Sequence, residues 1–168
     1  MPVSKRSFLE RQRRWLKHAY LRVMRTKAPP HTIAMGVACG VFGGFLPALP
    51  PIPLQSAVAL ALAFILRGSK VPAVIATFIS NPLNWVFFYW LQFKVGKHFV
   101  PFHVHFHPRE MSFQDYLNVG WNGLIILLIG GVVLGLPSAV AAYFIAKPSI
   151  VAWRKRRTLR MLRKKTTL

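Results

Sequence analysis

Apolar and polar positions follow two different rhythms along the chain. Between Ser4 and Thr26, Phe8, Leu9, Trp15, Leu16, Ala19, Tyr20, Val23 and Met24 recur at three- and four-residue steps, with Arg and Lys filling much of the rest. That spacing predicts an amphipathic helix. A basic face opposite aromatic and aliphatic groups suits a helix lying in the headgroup layer of a membrane; packing on another part of the protein is the alternative. Pro29 and Pro30 are expected to end this helix, because neither donates a backbone hydrogen bond. Beyond them the runs become apolar all round. They cover Thr32–Leu66, Val71–Phe93 and Tyr116–Ala146, separated by the polar turn Arg67-Gly68-Ser69-Lys70 and a polar loop over 94–115.

Prolines interrupt these runs. A bilayer core is crossed by about 20 helical residues, so Thr32–Leu66 is too long for one straight span. Pro47, Pro50, Pro51 and Pro53 fall within seven positions of it, each removing a donor and crowding the preceding turn. The arms Thr32–Leu46 and Leu54–Leu66 read as half-helices of a re-entrant hairpin or as two short, tilted spans. Val71–Phe93 is broken by Ser80-Asn81-Pro82, and Pro137 is expected to kink the last segment.

Charge sets the topology. The 168 residues carry 23 Lys+Arg against 3 Asp+Glu, a formal charge of +20. Such a chain can bind nucleic acid through its phosphates or rest on anionic lipid. Nine basic residues lie in 1–31 and nine in 147–168; only Arg67, Lys70, Lys94, Lys97 and Arg109 lie between. Basic clusters that bracket an apolar block mark the flanks of membrane segments, and Lys and Arg near membrane ends stay cytoplasmic. No nucleic-acid partner is expected. Both clusters end inside only if Thr32–Leu66 enters and returns, Val71–Phe93 crosses outward and Tyr116–Ala146 crosses back.

The expected fold is therefore an all-α integral membrane protein. Residues 1–30 form a basic amphipathic interfacial helix. Residues 31–146 form a membrane domain with a proline-broken re-entrant or short-span hairpin, two further transmembrane helices and an outer loop at 94–115. Residues 147–168 form a basic cytoplasmic tail. Cys39 is the single cysteine; it makes no intramolecular disulfide and reads as a small packed hydrophobe. No cleavable signal peptide is expected, since the first apolar run begins only near Thr32.

The stretches AMGVACGVFGGFLP, PIPLQ, TFISNPLN and KVGKHF, in that order, resemble the bacterial membrane family called domain of unknown function number 2062. The resemblance covers about Pro29 to Lys97 and, more loosely, the following transmembrane segment. The family-like positions are Gly36, Gly40, Pro47, Gln55, Asn81, Pro82 and Gly96. The chain departs from the pattern at Ser69, where the family usually has Asn shortly after an Arg, and at Asn84, where it usually has Thr. No activity is carried over by this resemblance, which implies a multi-pass protein of the bacterial inner membrane.

Several motifs carry candidate chemistry. Gly36, Gly40 and Gly44 repeat every fourth residue, with Gly43 beside them, a face that permits close helix packing or lines a ligand path with backbone. Irregular backbone inside a bilayer is tolerated only within protein or beside a water-filled cavity. Gln55 follows the proline break, near the start of a half-helix whose free N–H groups favour an anion. Asn81 can donate and accept beside Pro82, which removes one backbone donor. Paired broken helices are a feature of transporter sites, although a proline hinge explains the same residues. His103, His105 and His107 would project from one face of an extended strand and can bind zinc or copper, or simply be solvated. Glu10, Glu110 and Asp115 are the only carboxylates, and neither a phosphate-binding Lys-Ser/Thr loop nor an HExxH helix occurs, so no enzyme and no cofactor are expected.

Two functions follow. One is a small transporter or channel-like protein for an anionic or amphiphilic solute, formed as a homo-oligomer because few helices enclose no path alone. The other is a non-catalytic membrane scaffold whose basic termini hold anionic headgroups or partner proteins.

Overall fold

Backbone polar groups in a run of apolar residues are satisfied most locally by helix formation, and every described apolar run of this chain is helical. The computed structural model describes residues 8–47, 54–78, 85–100 and 113–166. These contain six α-helices and no strand: α1 (Phe8–Met24), α2 (Pro30–Gly44), α3 (Leu54–Ile65), α4 (Lys70–Thr77), α5 (Trp85–Phe99) and α6 (Phe113–Thr166). Pro29 and Pro30 separate α1 from α2 as the sequence implies, and Pro30 also opens α2. At that first position its missing N–H costs nothing and its fixed φ suits the helix.

The central element is α2, with α3, α4 and α6 packed around it, while α5 lies against α6. Small residues let the backbones meet. A methyl group added at Gly36 would fall on the Ser69 carbonyl oxygen, and one at Gly40 on that of Ala73. One at Gly43 would lie 2.6 Å from the Gln55 carbonyl oxygen. The glycine faces of α2 are thus filled by α3 and α4, the close approach that small residues allow between apolar helices.

Two connections fix the directions. Arg67 takes a left-handed conformation (φ 52°), and the Gly68 N–H donates to Ala63 O at 2.7 Å, closing α3 with a tight turn of the kind that ends helices. The next amide, Ser69 N–H, donates to Thr32 O at 2.8 Å. The chain therefore leaves along α2, returns along α3 and arrives beside its own starting point. From there α4 runs parallel to α2, since Gly36 meets Ser69 and Gly40 meets Ala73.

Along the assembly runs α6, 54 residues or about 80 Å at 1.5 Å per residue. Among the described residues it is the one helix long and apolar enough to cross a membrane. Expected as a segment over 116–146 followed by a separate tail, it is one helix through both Pro137 and Pro148. The following serines, Ser138 and Ser149, donate to Leu134 O and Ile145 O, each at 2.7 Å, a bond that often accompanies helix bending. Likewise α5 extends to Phe99, so the first part of the expected polar loop is helical.

At one end of α2, Met24, Ile33, Ala34 and Ile150 form a buried cluster with Val23, Tyr143 and Trp153 beside it. Arg154 ties this end together, its Nη2 donating to Thr26 O at 2.9 Å and to Ala28 O at 2.7 Å. The α1–α2 connection and the basic stretch of α6 meet here. Elsewhere large apolar side chains face outward, including Phe64, Phe87, Trp90, Leu136, Val140 and Phe144.

Candidate functional site

At the other end of α2 the interrupted helices come together. Phe45 and Leu46, just past α2, are buried, and so is Pro47. The end of α2 faces the first turn of α3, through Gly43 and Gln55. The start of α3 also approaches the end of α4, with Ser56 Oγ 3.5 Å from Thr77 Oγ1. Phe45 meets Phe88 of α5 edge-on, ring centroids 5.2 Å apart. Two helices thus end and two begin around one small volume.

Polar side chains answer these ends. The last carbonyls of a helix have no partner within it. Gln55 supplies one: its Nε2 donates to Leu46 O at 2.7 Å and lies 3.5 Å from Gly44 O. The side-chain amide from the start of α3 thereby caps the end of α2 across the proline break. Thr77, 3% exposed, donates its hydroxyl to Val74 O at 2.7 Å in the last turn of α4.

Gln92 completes the group. It is 1% exposed, yet among the described residues its Oε1 has no hydrogen-bond partner. A buried amide oxygen left unpaired costs free energy on the order of 1–3 kcal/mol, so this acceptor is the polar feature with the greatest unmet demand in the described structure. It sits where α5 crosses α6 through glycines. A methyl at Gly130 would strike the Gln92 carbonyl oxygen, and one at Gly96 the Ile126 carbonyl oxygen. A methyl at Gly131 would fall on the Phe45 carbonyl oxygen, 3.8 Å from Gln92 Oε1. Two acceptor oxygens therefore flank one point beside Gly131.

The sequence-derived positions sort clearly. Gly36 and Gly40 pack α2 on α4, Gly96 packs α5 on α6, and Pro47 and Gln55 lie at the junction. Asn81 and Pro82 fall between α4 and α5, outside the described residues, as do His103, His105 and His107. Among the described residues no three His, Cys, Asp or Glu side chains gather. Gln92, Thr77 and Gly131 were not anticipated. One signal existed: Gln92 stands alone in the apolar run WVFFYWLQF, and an isolated polar residue in such a run usually faces the interior.

The family model described as "Uncharacterized protein conserved in bacteria (DUF2062)" matches residues 13–159. Comparison with curated proteins and with solved structures finds no match.

Proposed function

The chain belongs to this bacterial family, and from that premise we propose that it is a multi-pass protein of the inner membrane whose helix breaks form a buried binding site for a small solute, in the manner of a small transporter or channel-like protein. Residues 30–66 form a hairpin that enters from the cytoplasmic face and returns to it. At 15 residues, α2 reaches about 22 Å, short of the roughly 30 Å hydrocarbon core, so the end of α2 stays at membrane depth. The pair α4–α5 crosses outward and α6 crosses back. Support comes from the Ser69–Thr32 hydrogen bond, from the outward-facing apolar side chains, and from the Arg154 contact that holds the α1–α2 connection against the basic stretch of α6.

The observation that carries the binding reading is the unpartnered Oε1 of Gln92, within a junction of four helix ends. Discontinuous helices of this kind offer N–H groups at their starts and carbonyls at their ends to a solute. Gln55 occupies the carbonyls of α2, which leaves the starts of α3 and α5 for an anionic group and Gln92 for a donor. A solute bearing both, anionic or amphiphilic, fits this arrangement. The scaffold function remains the alternative, since Gln55 also reads as a purely structural cap.

Replacing Gln92 separates the two. Gln92→Leu removes an unsatisfied buried acceptor, a change that is often neutral or stabilising. We expect unchanged or raised thermal stability, together with loss of a stoichiometric small molecule that co-purifies with the gently extracted wild-type protein and is read by mass spectrometry. A wild-type protein that carries bulk phospholipid alone would contradict the binding reading and favour the scaffold.

A further inference from the structure

The α1–α2 connection and the basic stretch of α6 meet near the start of α2, and the inference drawn from what they enclose rests on the proposed membrane topology, not on the solute reading. A groove of about 600 Å³ opens there between the α1–α2 connection and the last turns of α6. Arg25, Lys27, Arg154 and Arg157 line it beside Trp153. Arg154 is fixed by its bonds to Thr26 O and Ala28 O, and the Arg157 guanidinium stacks over Trp153 at 5.4 Å from the ring centroid. Four cations thus surround one cleft, two of them held in place, and none of the described residues lining it is a carboxylate.

Met24 also lines a second groove of about 470 Å³, walled by α1, α2, α4 and α6 and lined almost wholly by apolar groups such as Val37, Val41, Ile75 and Ala146. The order along α6 is informative. Arg157, Arg154 and Trp153 belong to the basic groove, while Ile150, Ala146 and Ala142, successively nearer the apolar middle of the helix, belong to the second. A ligand filling both needs an anionic head and a long apolar tail, oriented with the head toward the chain ends. Arg is suited to phosphate by its planar array of donors, and Trp beside basic residues marks the headgroup level.

We propose that this paired groove is a binding site for an anionic phospholipid of the cytoplasmic leaflet, with the phosphate held by Arg25, Lys27 and Arg157 and an acyl chain running along α6 toward Ala142. Arg154 positions the site by holding the α1–α2 connection in place. The site differs from general attraction between a basic protein and an acidic surface, because it requires particular cations and a tail.

The test uses the full-length protein in nanodiscs of phosphatidylcholine, with phosphatidylglycerol titrated in and bound lipid counted by native mass spectrometry. The double variant Arg25→Gln/Arg157→Gln is expected to lose about tenfold or more in affinity for phosphatidylglycerol, given the attraction each basic residue contributes near a membrane. The control Lys155→Gln/Arg160→Gln removes the same charge from exposed positions outside the groove and is expected to lower affinity clearly less than the groove variant does. Equal losses in both variants would overturn the proposal in favour of diffuse electrostatics. A dihexanoyl phosphatidylglycerol should bind more weakly than the long-chain lipid, and glycerol 3-phosphate more weakly still. Competition by glycerol 3-phosphate at concentrations matching the long-chain lipid would overturn it as well, since the tail groove would then have no role. Circular dichroism of each variant establishes that the helices are intact.

Discussion

Two glutamines, one on α3 and one on α5, illustrate how the same side chain acquires opposite roles. Gln55 has its donor committed to the Leu46 carbonyl at 2.7 Å, so Gln55→Leu leaves a helix-end carbonyl without that partner and is expected to destabilise the protein by about 1–3 kcal/mol. Gln92 has an acceptor without a partner, and its replacement by Leu carries no such penalty. Thermal unfolding of the two variants in the same detergent should therefore move in different directions; a comparable loss in both would show that Gln92 is as fully engaged as Gln55. The glycines divide in the same way. A methyl at Gly40 meets the backbone of Ala73, whereas Gly123 of α6 has nothing within 4 Å of the added atom. Gly40→Ala is expected to cost at least about 1–3 kcal/mol, the usual range for overpacking. Gly123→Ala should be neutral or stabilising by up to about 1 kcal/mol, as Ala replaces Gly inside a helix. Both are read from the same unfolding curves, and a milder effect at Gly40 than at Gly123 would contradict the close crossing of α2 and α4.

At the level of elements, the helices were legible in the sequence because an apolar run with few charges has few other ways to satisfy its backbone. The turn at Arg67–Ser69 and the paired arms α2 and α3 follow from local chemistry that proline, glycine and charge report directly. The partners of those elements were not legible. Gly36 and Gly40 announce a close approach without saying to what, and only the packed fold assigns α4 to them. The isolation of Gln92 in an apolar run marks it as interior-facing, but its unpaired acceptor is a property of its neighbours and not of its spacing. The tail after Ala146 looked separate because its composition turns basic, yet a helix continues through a change of composition wherever the backbone ladder is maintained. Arg154 shows what that continuity achieves: it brings the last part of α6 onto Thr26 and Ala28. Arg154→Ala should speed hydrogen exchange at the Thr26 and Ala28 amides and leave α5 unchanged. Equal protection in wild type and variant would mean that the α1–α2 connection is held by the apolar cluster of Met24, Ile33 and Ile150 alone.

For the whole molecule, the account depends on one geometric statement: residues 30–66 go into the membrane and come back, so that an otherwise odd set of crossings leaves both basic ends on the cytoplasmic face. The aromatic neighbours of the cations agree with such a placement, with Lys70 over Phe64 at 5.6 Å and Lys147 over Tyr143 at 5.9 Å near the level of the start of α2, and Lys94 over Trp90 at 5.0 Å toward the other side. Long basic side chains at membrane boundaries place their stems on apolar groups in this way. The most direct measurement is cysteine accessibility. In a Cys39→Ser background, Lys70→Cys, Lys155→Cys and His103→Cys are made singly, and intact cells are treated with a membrane-impermeant thiol reagent before and after permeabilisation. The account predicts that position 103 is labelled in intact cells, and that positions 70 and 155 are labelled only after permeabilisation. Labelling of position 70 in intact cells would place the turn after α3 outside, make residues 30–66 a single crossing, and contradict the hairpin on which the buried junction rests.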